Sequence, residues 1–414
     1  MTMDLLLIGI YLYPSVMALV WITGGIYYFF HWEYHYLKKY PDHKLTLRHY
    51  PLISVMVPCY NEGPNIEDTI HSLLKQDYPN FEILAINDGS KDDTGARLDR
   101  LAKAHARLKV IHQQNQGKAS ALNHALEYAN GECIVCIDGD ALLDCNALVW
   151  MVRHLLSENG VGAVTGNPRV RTRTTMVGRI QTGEFSSIIG LIKRAQRIYG
   201  TLFAISGVVC AFRKSALEDI GGWRTDMVTE DIDVSWRLQM AGWNIRYEPM
   251  ARCWVLMPET IRGLYKQRLR WAQGGAEVSL KYGWRCLYQG KLRFWPLLLD
   301  YLVSVYWSYS VIAILVWRIV TISDLPTTEQ TLTFEICAVL MIFLCLAQFL
   351  VSILIDRHYD QGLLKNFLWC IWYPLFYWIL NIATITVAVP KALFKKPNQP
   401  AVWESPDRGE TFRG

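Results

Sequence analysis

The sequence predicts an α/β domain with a Rossmann-like, mainly parallel sheet, flanked by membrane-spanning helices. Between about residues 51 and 248, short β-branched runs alternate with longer amphipathic stretches, the pattern of strands joined by crossover helices. An uncharged run at residues 5–30 precedes that region and three apolar runs follow it, each long enough for a bilayer core of about 30 Å. Composition suits both parts: 51% of the 414 residues are hydrophobic and 19% charged, with 16 Trp and 22 Tyr. That is too apolar for a soluble enzyme of this size and too charged in its middle to be all membrane.

The first segment, residues 1–32, reads as an uncleaved anchor, because Asp4 replaces a basic leader and no small-residue cleavage site follows. Lys38, Lys39, Lys44 and Arg48 come next, so the positive-inside rule places the following domain, residues 48–258, in the cytoplasm. Predicted strands cover 53–57, 81–87, 109–112, 133–138 and 161–165, and predicted helices 66–75, 93–103 and 118–129, with Asn130-Gly131 as a turn. Residues 259–293 form a basic amphipathic, interfacial region.

The C-terminal membrane region, residues 294–390, holds apolar runs at 295–320, 333–355 and 367–389. Its first loop, 323–330, has no basic residue and is expected outside; the next, 356–366, has Arg357 and Lys365 and is expected inside. Three simple crossings would leave the tail, 391–414, outside, although it opens with Lys391, Lys395 and Lys396. Either the charge rule fails at the last helix, or one segment is re-entrant or interfacial, with Pro296 and Pro374 marking the two candidates.

A formal charge of +5 without a concentrated basic stripe argues against a nucleic-acid partner. The ten cysteines are scattered, several inside apolar runs (Cys337, Cys345, Cys370), which suggests reduced, buried thiols. Cys133 and Cys136 lie in a strand with no second pair and read as core. His31 and His35 have helical spacing, but Glu33 is misplaced for a zinc protease.

In parallel sheets ligands bind at the carboxyl ends of the strands. Three such ends carry special residues: Pro58-Cys59-Tyr60-Asn61-Glu62, Asn87-Asp88-Gly89-Ser90 and Asp138-Gly139-Asp140. Asp138 and Asp140 can chelate a hard divalent cation, and Gly139 lets backbone approach a ligand; the bland alternative is an acidic turn. Asp88 can accept a hydrogen bond from a nucleobase imide, or simply end a strand as an Asx turn. Lys118 opens a helix whose N-terminus favours anions, which makes it a diphosphate contact or a solvated first-turn lysine. Thr229-Glu230-Asp231 opens another helix, with Thr229 as N-cap; the acids either complement the helix dipole or place Asp231 as a general base. In Gln267-Arg268-Leu269-Arg270-Trp271, Arg270 is suited to a pyrophosphate and Trp271 to a sugar ring, or both belong to an interfacial helix.

The ordered series Asp88, Asp138-x-Asp140, Thr-Glu-Asp231 and Gln267-x-x-Arg270-Trp271 resembles the motifs of family 2 processive glycosyltransferases, which include cellulose, chitin and hyaluronan synthases. Longer strings, at 164–171, 189–196, 270–275 and 405–409, are similar to those of bacterial synthases of β-1,6-linked poly-N-acetylglucosamine. The resemblance implies a GT-A catalytic fold and a bacterial inner-membrane, multi-pass enzyme making a biofilm exopolysaccharide. It implies UDP-N-acetylglucosamine as donor, Mg2+ or Mn2+, a growing polysaccharide in a lipid bilayer, and a small membrane partner subunit. Any cyclic-di-GMP control would act through that partner, since no domain for it is appended.

By resemblance, donor binding falls to Pro58, Tyr60, Glu62, Asp88, Lys118, Asp138 and Arg270, and metal binding to Asp138 and Asp140. Catalysis falls to Asp231 with Glu230, and acceptor contacts to Gln267 and Trp271. Ser206 and Gly207 stand where cellulose-type enzymes carry an acceptor loop, with a partial match. Asp300, Glu335 and Gln348 are candidates to line a polar path across the membrane, which a partner or a second copy would complete. Two rivals remain open: a single-transfer synthase of a lipid-linked sugar, and an inactive export scaffold.

Overall fold

The computed structural model describes residues 2–320 and 328–396. Residues 323–327 of the expected outer loop 323–330, and the string at 405–409, lie outside the described residues.

A long helix α1 (Thr2–Tyr28) runs through a π-helical turn into α2 (Tyr34–Lys39). The α/β domain begins with β1 (Ile53–Cys59), α3 (Ile66–Leu74), β2 (Phe81–Asp88), α4 (Thr94–Ala104), β3 (Leu108–Gln113), α5 (Lys118–Tyr128) and β4 (Cys133–Ile137). It continues with β5 (Leu142–Leu143), α6 (Ala147–Ser157), β6 (Val161–Val170), α7 (Met176–Glu184), α8 (Ile192–Tyr199) and β7 (Val209–Arg213). It closes with α9 (Lys214–Asp219), α10 (Glu230–Met240) and β8 (Asn244–Val255). Then come α11 (Ile261–Tyr288), α12 (Trp295–Val320), α13 (Thr328–Asp356), a short α14 (Phe367–Cys370) and α15 (Tyr373–Leu393).

The strands form one sheet in the order β3-β2-β1-β4-β7-β6-β8-β5. β3, β2, β1 and β4 are parallel, as are β6 and β8, while β7 runs antiparallel to β4 and β6, and β5 antiparallel to β8. The alternation pattern misses β5, β7 and β8. β7 and much of β8 are buried on both faces, so no polar-apolar period marks them, and Pro249 interrupts β8.

Side chains leave the strands alternately to two cores. On one face Val55, Val57, Ile83 and Val135 pack with α3 and α6; on the other Met56, Leu84, Ile86 and Ile134 pack with α5 and α10. This sandwich holds the strand ends rigidly, so the loops after β1, β2 and β4 face one cleft.

Four described helices are long and apolar enough to cross a membrane. α12 packs on α1, where the Trp307 indole N–H donates to the Ile10 carbonyl at 2.7 Å and the Tyr13 hydroxyl to Asp300 Oδ1 at 3.0 Å. α1 and α13 are joined to the α/β domain by a buried ion cluster. Arg194 of α8 meets Glu33 at 2.5 Å and Asp356 at 2.9 Å, and Asp356 also receives Arg169 of β6 at 2.7 Å. Arg194 and Asp356 are fully buried. Truncating one partner strands the others in a low dielectric, so Arg194→Met is expected to cost about 3–5 kcal/mol of unfolding stability. Thermal unfolding of the detergent-solubilised protein measures it.

The last apolar run touches the α/β domain at both of its ends. Its start touches the α/β domain: Cys370 packs so closely on Gly183 of α7 that a Cβ there would lie 2.2 Å from its sulfur. α15 packs chiefly along α11, and just beyond its end Lys395 Nζ reaches Glu277 Oε2 at 2.8 Å and the Asp226 carbonyl at 2.6 Å. The segment thus ends against α11 and the loop before α10, in contact with the α/β domain. Pro374 sits at the N-terminus of α15 and Pro296 in the first turn of α12, positions where a missing N–H costs nothing.

Candidate active site

Every residue singled out for donor, acceptor, metal or catalytic roles lines one cleft of about 360 Å3, at the strand ends and under α10 and α11. Pro58, Tyr60 and Glu62 follow β1, Asp88 ends β2, Asp138 and Asp140 follow β4, and Ser206 and Gly207 precede β7. Gln267, Arg270 and Trp271 enter from α11.

Lys118 ties three of the motifs together. Gly117 takes the N-cap position of α5 at φ +89°, which lets the chain turn sharply and aim Lys118 into the cleft. Its ammonium lies 2.6 Å from Asp138 Oδ1 and 3.0 Å from Glu230 Oε1, and donates to the Gly207 carbonyl at 3.4 Å. Burial alone would depress this lysine, but Asp138 and Glu230 outweigh it and hold it well above its usual range.

Asp231 lies in the first turn of α10. Burial first, and then the negative charge of Glu230, push its carboxyl up to about 6, against the opposing charges of Lys118 and Arg270. Its Oδ2 accepts from the Gly207 N–H at 3.2 Å. A carboxylate at that value ionises near neutral pH and still takes a proton well, the tuning a general base needs.

Thr229 occupies the N-cap position of α10, but its hydroxyl caps nothing: Oγ1 is buried and makes no hydrogen bond. Gly274 of α11 packs against it so closely that a Cβ there would lie 1.9 Å from that oxygen. Gly274→Ala must push Thr229 and the acids beyond it, and a displacement near 1 Å costs about 10²-fold in rate. Turnover of folded Gly274→Ala, with thermal unfolding as control, tests this.

Two other residues have protein neighbours that the motifs did not reveal. Gly139 is needed by protein: a Cβ on it would meet Glu62 Cγ at 2.9 Å. Asp88 accepts Gln113 Nε2 at 2.8 Å and the N–H groups of Gln116 and Gly117 at 2.9 Å each. Three acceptor sites are thus filled by the loop that presents Lys118, leaving room for one more donor.

Trp271 stands on the Arg268 guanidinium, 4.0 Å from its ring centroid, and Arg268 is anchored to Glu184 at 2.7 Å. One face of the indole is thereby taken by a cation. Arg268 also donates to Gln267 Oε1 at 3.2 Å. The motif search passed over Arg268, and also over Lys193 of α8, which enters the same cleft. The available signal was a charge within the apolar run Ile188–Ala195.

Asp138 and Asp140 offer carboxylate oxygens, and no imidazole is among the described lining residues. That donor set fits Mg2+ or Mn2+, with the remaining positions left to phosphate and water. The strand end already holds a cation, the Lys118 ammonium, against Asp138.

A family model described as glycosyltransferase like family 2 matches residues 51–274. The chain is 42% identical over 409 residues to the poly-β-1,6-N-acetyl-D-glucosamine synthase of Staphylococcus epidermidis, covering 97% of this chain and 98% of that one. It is 40% identical over 405 residues to the synthase of the same name from Staphylococcus aureus strain COL, with the same coverage. A solved mannosyltransferase, PcManGT from Pyrobaculum calidifontis in complex with GDP-Man and Mn2+, shares the fold with a TM-score of 0.64 at 22% identity, over 94% of this chain and 99% of that one. The fold is GT-A, a mixed but mostly parallel sheet with apolar helices on either side in sequence. Relatives so alike from end to end show that the chain belongs to the family 2 glycosyltransferases, among the poly-β-1,6-N-acetyl-D-glucosamine synthases.

Proposed function

We propose that this chain is a processive, inverting glycosyltransferase that polymerises N-acetylglucosamine from UDP-N-acetylglucosamine into a β-1,6-linked exopolysaccharide, and that it starts the product across the bacterial inner membrane. One observation supports polymer synthesis over single transfer. The cleft at Asp231 adjoins a second cavity of about 350 Å3 between α1, α12, α13 and α15, and the two share Ile189, Lys193, Phe203 and Ala204 in their linings. A chain end held at Asp231 thus has a route into the membrane region. Asp300 and Gln348 line it, whereas Glu335 is exposed elsewhere on α13 and is not a lining residue.

In the reaction, Asp231 takes the proton of the terminal sugar's 6-hydroxyl as that oxygen attacks the anomeric carbon. The bond to UDP breaks on the opposite face, inverting the centre in one displacement. Trp271, with one face on Arg268, offers the other to a sugar ring. Arg270 and Lys118 supply positive charge beside the departing diphosphate. Asp138 and Asp140 would hold a divalent cation, which would supply further charge neutralisation to the same leaving group. The α/β domain, residues 48–258, lies in the cytoplasm, where the donor is. A small membrane subunit completes the channel and is the place for cyclic-di-GMP control.

Purified protein in nanodiscs with UDP-N-acetylglucosamine and Mn2+ or Mg2+ is expected to yield long β-1,6-linked chains, with no UDP release after EDTA and recovery on adding metal back. A single-sugar lipid product, or no UDP release with metal present, would overturn the assignment.

A further inference from the structure

Lys193 stands at the neck between the two cavities and lines both. It is 8% exposed, and no described carboxylate pairs with it. Its ammonium donates to Ser206 Oγ at 2.7 Å and to Thr165 Oγ1 at 3.1 Å. The cradle is itself braced, because the Ser206 N–H donates to Thr165 Oγ1 at 2.8 Å. An ammonium carries three donors: Ser206 and Thr165 take two, and the third makes no hydrogen bond, with the Tyr247 ring centroid 6.0 Å away. Burial lowers the lysine to about 7, with the charge of Asp231 opposing, so it sheds or keeps its proton according to what lies beside it.

Position says what that is. In a hexosamine the attacking C6 hydroxyl and the C2 nitrogen project from opposite sides of the ring. If Asp231 serves the hydroxyl, the group that reads the nitrogen must stand a ring's width away. Lys193 meets that condition by position: it lines both cavities, and its partner Ser206 adjoins Gly207, whose N–H donates to Asp231.

We propose that Lys193 is a specificity-determining residue of the acceptor site, donating a hydrogen bond to the carbonyl oxygen of the acylated 2-amino group on the terminal sugar and disfavouring a chain end whose amine is free. A free amine offers no carbonyl. If protonated, it sets a second cation in the neck, and one of the two must lose its proton. This rests on the polymerase function proposed above.

The test uses the full chain in nanodiscs with UDP-N-acetylglucosamine, Mn2+ and two synthetic β-1,6-linked glucosamine tetrasaccharides. One is fully N-acetylated; the other has only its non-reducing terminal amine free. Wild type is expected to favour the acetylated acceptor in kcat/KM by about tenfold, the worth of one such hydrogen bond. Lys193→Met should bring the ratio within about threefold, and Lys193→Gln, which keeps an N–H donor, should retain part of it. Variants with the wild-type ratio would overturn the proposal and leave Lys193 as a brace for Ser206, a role that changes both acceptors alike. Equal use of both acceptors by wild type would overturn it too. Elongation of neither, without UDP release, would instead remove the polymerase function beneath it. Should Lys193→Met not fold by size exclusion, Lys193→Gln decides alone.

Discussion

Asp231→Asn is expected to stop polymer formation, with turnover falling about 10²- to 10⁴-fold while UDP-N-acetylglucosamine still binds. The amide keeps the shape of the carboxyl group but cannot take a proton. Two further readouts separate loss of the base from damage to the fold. The first is pH. Because burial and Glu230 hold Asp231 at about 6, the base form is lost as pH falls through that value, so wild-type kcat/KM should drop on the acid side of about 6. The residual rate of the variant should lack that limb.

The second is stability. A carboxyl whose folded value lies above its unfolded one favours the protonated state on folding. Its charge therefore costs stability as pH rises from the unfolded value through about 6, and the cost is complete above that. Asp231→Asn removes the charge, so its unfolding temperature at pH 7.5 should equal or exceed that of wild type. A clear fall would mean that the side chain matters to the fold, and wild-type turnover would take the base role from it.

Lys118→Met is expected to cut turnover by about 10²-fold or more and also to destabilise the protein. It removes the cation shared by Asp138 and Glu230 and leaves those carboxylates facing each other in a partly exposed cleft, so the loss is smaller than for a fully buried pair. Lys118 also holds Asp231 down, so without it the acid limb of the rate profile should move to higher pH rather than vanish. That upward move distinguishes Lys118→Met from Asp231→Asn. An unshifted limb would mean that Lys118 is only a donor contact.

Much of this was legible in the chain because it depends on local pattern. Strands β1 to β4 and β6 follow from β-branched runs, and the helices between them from apolar periodicity. Chemistry placed at the ends of parallel strands is bound to converge, which is why Asp88, Asp138 and Asp140 could be assigned to one cleft before any coordinates. Asp231 and Trp271 joined them through the order of the motifs.

Other features have no local signal. β7 and β8 are wrapped on both faces, so their partners, and not their own sequence, make them strands. Gly139 looked like a close approach to a ligand, but it answers to Glu62, which lies far from it in the chain and against it in space. Thr229 had the residue type of an N-cap, but its hydroxyl is buried against Gly274 of α11 and makes no hydrogen bond.

The amino-acid sequence alone determined that this is an α/β glycosyltransferase domain among membrane helices, because amphipathic period, apolar length and motif order are written within stretches of adjacent residues. Tertiary structure alone decided the contact of the last helix with the domain, the double duty of Lys118, and Lys193 at the neck between two cavities. These depend on contacts between residues scores of positions apart, where burial and charge pairing set the outcome and no window of sequence contains both partners.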